Sequence, residues 1–113
     1  MSTVPSQIEI CSAQGVEPSP SHPSDKLGIA LSTLGQQPIN GLRHEPEGGT
    51  CGWYIWCGED LSQDPEFFQP LHVSHISKYL PQIENYLALP PGYRFLIAGS
   101  QEDIWHDSAL TGK

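Results

Sequence analysis

The 113 residues predict one small α+β domain, an antiparallel sheet with a single proline-broken helix packed on a face. Three observations predict it. Cys51 to Cys57 is a strand-length run with apolar side chains on both alternating sets of positions. Val73, Ile76, Leu80, Ile83 and Leu87 recur at i, i+3, i+7, i+10 and i+14, which marks one face of a helix. Short apolar runs at Leu27–Leu31, Ile39–His44 and Tyr93–Ala98 are punctuated by glycine and proline, as strands of a small sheet are.

Taken in order, Met1 to Asp25 reads as a disordered N-terminal tail. Pro5, Pro18, Pro20 and Pro23 alternate with serines, and such a stretch buries too little apolar area to offset its ordering entropy. Within it, Ile8 and Ile10 alternate with polar residues, so Gln7 to Cys11 carries the pattern of an edge strand. The folded unit is expected over residues 26–109, with 110–113 as a closing tail. Leu27–Leu31 is its first strand, Gly35 to Pro38 a turn, and Ile39–His44 the second strand. Glu45-Pro46-Glu47-Gly48-Gly49 is a loop. Cys51–Cys57 follows as the clearest strand, and Glu59 to Glu66 as an acidic loop, after which Phe67-Phe68 returns to the core.

Pro81 divides the helical stripe. Proline lacks the N–H that a helix interior needs and disfavours helical geometry at the residue before it. The pattern therefore predicts a helix over 74–79 and a second that starts with Pro81 in its first turn and ends near Leu89. Pro90-Pro91-Gly92 is a sharp turn, Tyr93–Ala98 a strand, and Asp103–His106 a short last strand that closes a hairpin.

Composition narrows the function. Thirteen Asp+Glu face five Lys+Arg, for a net charge of -8. Nucleic acid and anionic membrane need Lys/Arg clusters, so neither is expected as a partner. The balance fits a soluble protein, or one that captures a basic partner. No basic-then-apolar leader opens the chain, and no run approaches the ~20 apolar residues of a membrane helix. Three cysteines cannot form a full disulfide framework, so a reduced, cytoplasmic setting is expected.

The candidate chemistries are few. Cys51 and Cys57 fall on one face of a regular strand, roughly 20 Å apart at ~3.3 Å per residue, too far to pair or to share a metal. Cys51, Trp53, Ile55 and Cys57 make one face and Tyr54 and Trp56 the other, so the strand is central and covered on both sides, or open to a partner on one. His72 and His75 have the spacing that puts two imidazoles on one helix side, a chelating geometry for zinc that His44 or His106 could complete. Glu45, Glu47, Glu59, Asp60, Asp64 and Glu66 flank the tryptophan strand, and Glu102, Asp103 and Asp107 cluster near the C-terminus. In loops rich in Gly, Pro and Gln they read as a solvated rim that steers a cationic partner, not as an acid–base pair. There is no G-x-S-x-G, P-loop or G-x-G-x-x-G, and nothing points to a cofactor. Arg94, between Tyr93 and Phe95, is expected to face away from both and to form an ion pair with one of the acids.

These motifs carry a resemblance. Gly41-Leu42-Arg43-His44-Glu45-Pro46, Gly52-Trp53-Tyr54-Ile55-Trp56-Cys57-Gly58-Glu59, Pro70-Leu71-His72-Val73 and Leu89-Pro90-Pro91-Gly92-Tyr93-Arg94-Phe95 follow one another in the order seen in a bacterial family of immunity proteins from polymorphic toxin systems, the one numbered thirty-three. The chain resembles a divergent member or relative of it over about Gly41 to Asp107. The resemblance implies a small α+β protein without catalytic residues that binds and neutralises a toxin.

The combined reading is a non-enzymatic, acidic protein-binding domain. Its expected contact residues are Tyr54 and Trp56 as aromatic anchors, with Glu59, Asp60 and Asp64 orienting a basic toxin domain. One alternative is a small metal-binding protein or metal-dependent hydrolase built on His72 and His75. Another is a housekeeping protein that shares only the fold.

Overall fold

The computed structural model describes residues 7–22, 24–46, 50–59 and 66–111. Six strands form one sheet: β1 (Lys26–Ile29), β2 (Ile39–Arg43), β3 (Thr50–Cys57), β4 (Gln69–His72), β5 (Tyr93–Ala98) and β6 (Gln101–His106). Their order is β4-β1-β3-β2-β5-β6, which puts the tryptophan strand inside the sheet. β2–β3, β2–β5, β5–β6 and β1–β4 pair antiparallel, whereas β1–β3 is parallel. The fold is thus the α+β class that the sequence predicts, with a mostly antiparallel sheet. Two features were not expected, the parallel pair and β4 itself.

Both sides of β3 are used as its alternation requires. Cys51, Trp53, Ile55 and Cys57 join Leu27, Ile29, Ile39 and Phe95 in the main core, under the helical layer. Trp56, with Tyr54 beside it, belongs to a second cluster on the opposite face. The helical stripe also packs as expected, with Ile76, Leu80, Ile83 and Leu87 buried. Its geometry differs from the expectation: Val73–Lys78 and Pro81–Tyr86 are both 3-10 helices. Leu80, just before Pro81, has left the helical region at φ -140° and ψ 68°, as a following proline disfavours helical geometry there.

Residues 7–13 correct the N-terminal reading. They form a helix, α1 (Gln7–Ala13), not an edge strand. A strand would keep Ile8 and Ile10 on one face, but Ile8 is 67% exposed while Ile10 and Cys11 are in the main core. The Cys11 thiol donates to the Ala88 carbonyl at 3.4 Å. Gly15 closes the helix at φ +73°, where Val16 N–H reaches back to the Cys11 carbonyl at 3.0 Å, the ending that glycine permits at low cost. Of the stretch assigned to a tail, residues 7–22 therefore include core-forming side chains, and Met1 to Ser6 lie outside the described residues.

Gly52 explains the glycine before Trp53. Its φ is +94°, and a side chain there would run into the His44 carbonyl. The β1–β3 register jumps from Lys26↔Thr50 to Gly28↔Tyr54 across it, so Gly52 lies in a bulge. That bulge sets which residues of β3 face which layer.

Arg43, at the end of β2, is 2% exposed. Its guanidinium donates to the carbonyls of Ser19 at 2.7 Å, Cys51 at 2.9 Å and Leu89 at 2.7 Å. It thereby ties the segment after α1 and the loop before β5 to the central strand. Burial pulls its pKa down, against the nearby Cys51, Asp25, Cys11 and Glu45, which raise it.

Candidate binding face

The face of the sheet away from Val73–Lys78 and Pro81–Tyr86 carries the candidate site, and a short 3-10 helix, Ser108–Thr111, places Leu110 against it. Leu42 pairs with Tyr54 on one side and Arg94 on the other, and Asn40 pairs with Trp56 and Leu96. Opposite residues in antiparallel strands share a face, so Leu42, Tyr54, Trp56, Arg94 and Leu96 lie on one surface. Phe67, Phe68 and Leu110 cover part of it. Phe68 meets Tyr54 edge-on at 5.1 Å and Trp56 at 6.1 Å between ring centroids, the edge-to-face arrangement favoured by aromatic quadrupoles. His44 packs edge-on against Tyr54 at 5.5 Å, and its Nδ1 lies 3.0 Å from the Leu110 carbonyl.

Tyr54 is the hub of this surface. It is half-buried. It borders a cavity of about 210 Å³ with Leu42, His44 and Phe68, and a second of about 450 Å³ with His44, Glu45 and Thr50. Trp56 behaves differently. Phe68 and its neighbours leave it 4% exposed, so the expectation that it meets a partner directly is corrected: its ring supports the site from below. Among the described residues the indole N–H has no hydrogen-bond partner. Glu59 is exposed just past β3, while Asp60 and Asp64 lie outside the described residues.

The other candidates are spread apart. His72 and His75 are exposed, with ring centroids 5.6 Å apart. His106 packs on Tyr93 at 5.2 Å, and His44 on Tyr54. Among the described residues no group of three His, Cys, Asp or Glu is placed to hold a metal ion. The three cysteines are free and buried. Burial raises the Cys11 and Cys57 pKa, which keeps them as unreactive thiols. Arg94 makes the predicted ion pair, with Asp107 at 3.2 Å, and its guanidinium lies 5.3 Å from the Trp105 ring centroid.

One titration is set by the helical layer. Tyr86 stacks on Phe95 and donates its hydroxyl to Glu102. Burial first, then the hydrogen bond and the charge of Glu102, push the Tyr86 pKa well above its ordinary value. A raised pKa favours the protonated form in the folded state. That stability is whole below the unfolded value of about 10 and is lost as pH rises through the folded one. Cys11 and Cys57 act in the same direction from about 8.5 upward. Stability measured by urea unfolding should therefore decline above about pH 9, and Tyr86→Phe should flatten the decline above about pH 10. An unchanged slope in that variant would show that Tyr86 does not contribute.

A small α+β domain with an aromatic sheet face opposite its main helical layer is what the fold and these side chains define. The chain belongs to the Imm33-like domain family, whose model matches residues 6–107. The match bears out the resemblance and extends it through α1. No curated protein and no solved structure matches the chain. Among the described residues, no helix is long and apolar enough to cross a membrane.

Proposed function

We propose that this chain is an immunity protein that binds a toxin domain in the cytoplasm and blocks it, without chemistry of its own. Membership of the Imm33-like family supports a protein partner of this kind. The observation that carries the choice of surface is Tyr54, half-buried between two cavities on the sheet face opposite the main helical layer. Tyrosine is a residue type enriched at interface hot spots. The toxin is a basic domain, complementary to the net charge of -8. Tyr54 anchors it, Trp56 stiffens the anchor from beneath, and Glu59, Asp60 and Asp64 orient it.

The test looks for a toxin domain encoded beside this chain and titrates it, purified, against wild type and variants; the lack of any such neighbour counts against the reading. Tyr54→Ala should weaken binding at least about tenfold, the loss of one hot spot. Glu59→Lys should mainly slow association and lessen its salt dependence. A toxin domain that fails to bind wild type defeats the reading; binding indifferent to both substitutions moves the interface elsewhere. The adjacency of His72 and His75 favours zinc binding as a second reading. Stoichiometric zinc in the purified protein that is lost on His72→Ala would support it, and metal-free protein in zinc-supplemented buffer would remove it.

A further inference from the structure

The sheet has two unlike edges. β4 is four residues long and contains Pro70, which has no N–H to offer; short strands and proline are the usual ways of closing an edge to pairing. At the other end, β6 is six residues long, lacks proline and pairs only with β5 among the described residues. The chain after it turns away, and Leu110 packs against the Leu42–Trp56 cluster. Among the described residues the outer edge of β6 thus remains open along Gln101-Glu102-Asp103-Ile104-Trp105-His106. Trp105, 39% exposed, is on it.

We propose that this edge pairs with a second copy of the chain, β6 against β6 antiparallel, to join two sheets into one across a two-fold axis. Opposite residues in such a ladder must share a face. Pairing with β5 places Gln101, Asp103 and Trp105 on the Tyr54 face, and Glu102, Ile104 and His106 on the helical face. The axis must then pass through a residue, and near the middle of the strand two registers compete. Centred on Asp103, the pairing sets two like carboxylates directly opposite each other, which destabilises a sheet. Centred on Ile104, it sets Ile104 against Ile104, Glu102 against His106 twice, and Asp103 against Trp105 twice. Each Trp105 is backed by the Arg94 guanidinium at 5.3 Å, which gives the opposing Asp103 a cation within its neighbourhood. The strand is therefore complementary to itself in one register and repelled in the other. The charges at Glu102 and Asp103 still deter an arbitrary apolar strand, as edge charges do. β5 and β2 separate this edge from β3, so the dimer leaves the Tyr54 surface free and does not rest on the immunity reading.

Sedimentation and light scattering of the full chain over a wide concentration range test the pairing. Wild type should form a concentration-dependent dimer. His106→Glu should raise the dissociation constant at least tenfold, by setting carboxylates opposite Glu102. Adding Glu102→Lys to His106→Glu should restore the dimer by exchanging the charges. Circular dichroism checks that each variant folds. Oxidative cross-linking then reads the register. Residues opposite across the axis have Cα atoms about 4.5–5.5 Å apart, within disulfide reach, whereas diagonal ones are about 7–8 Å apart. Ile104→Cys should cross-link, and the three native cysteines are buried. Wild type that stays monomeric at several hundred micromolar, a dimer indifferent to His106→Glu, or a dimer in which Ile104→Cys does not cross-link would each overturn the proposal.

Discussion

Arg43→Met is expected to lower the unfolding free energy by about 3–5 kcal/mol, a cost typical of breaking a buried polar network. The side chain is 2% exposed and sits where three distant segments converge. Its Nε donates to the Cys51 carbonyl at 2.9 Å, and Nη1 donates to Ser19 and Leu89 at 2.7 Å and more weakly to Leu87 at 3.5 Å. Nη2 reaches the Ser21 hydroxyl at 3.4 Å. Methionine fills similar space but donates nothing, and a buried acceptor left without a donor costs about 1–3 kcal/mol. Arg43→Lys keeps the charge on a point donor, which cannot span the same carbonyls, and should recover only part of the loss. With an m-value of about 1–3 kcal/mol/M, the urea midpoint of Arg43→Met should fall by at least about 1 M. Amides of the segment after α1 should exchange faster still, because Arg43 is one of its anchors. Arg94→Met is the control: its ion pair is partly exposed, and its loss should cost at most about 1 kcal/mol. A cost for Arg43→Met no larger than for Arg94→Met would mean that water replaces the guanidinium.

Much of this frame is legible in the chain, and the parts that are not share a physical cause. Tyr93–Ala98 has the predicted limits, and β3 extends the predicted strand by Thr50 alone, because period-two patterning and flanking glycines are local signals. The stripe from Ile76 to Leu87 is equally local, although 3-10 winding replaced the α-helix on either side of Pro81. β4 has no such signal. Its residues are mostly exposed, Pro70 argues against a strand, and only pairing with β1 makes it one. The parallel β1–β3 pair is likewise a long-range choice. For α1 a signal did exist: Gly15, two residues past the last helical position, marks a helix end more firmly than Ile8 and Ile10 mark a strand. Arg43 also had one. With Ile39 and Gly41 it alternates onto the inward face of β2, where that strand alone would have put a cation in the core. At the candidate site, alternation separated Tyr54 from Trp53 correctly, but the cover that Phe68 lays over Trp56 comes from residues far along the chain.

Trp53→Ala should cost about 3–5 kcal/mol, the range for emptying a buried aromatic site. The indole is 1% exposed, lies 5.4 Å from the Phe95 ring and donates its N–H to the Leu87 carbonyl at 2.9 Å. It therefore joins the sheet to the helical layer by packing and by a hydrogen bond at once. Trp53→Phe separates the two contributions. It keeps most of the ring but leaves Leu87 with only the long contact to Arg43, and should cost about 1–3 kcal/mol. Arg43 and Trp53 also touch directly, the guanidinium carbon standing 5.8 Å from the indole centroid. Two residues that share an acceptor and a cation–π contact should not act independently. Urea unfolding of Arg43→Met, Trp53→Phe and the double variant measures their coupling. The double variant should be less stable than the sum of the single losses implies, by about 0.5–3 kcal/mol, because the Leu87 carbonyl then loses both donors. Additivity within about 0.5 kcal/mol would instead assign the two residues to separate supports of the sheet.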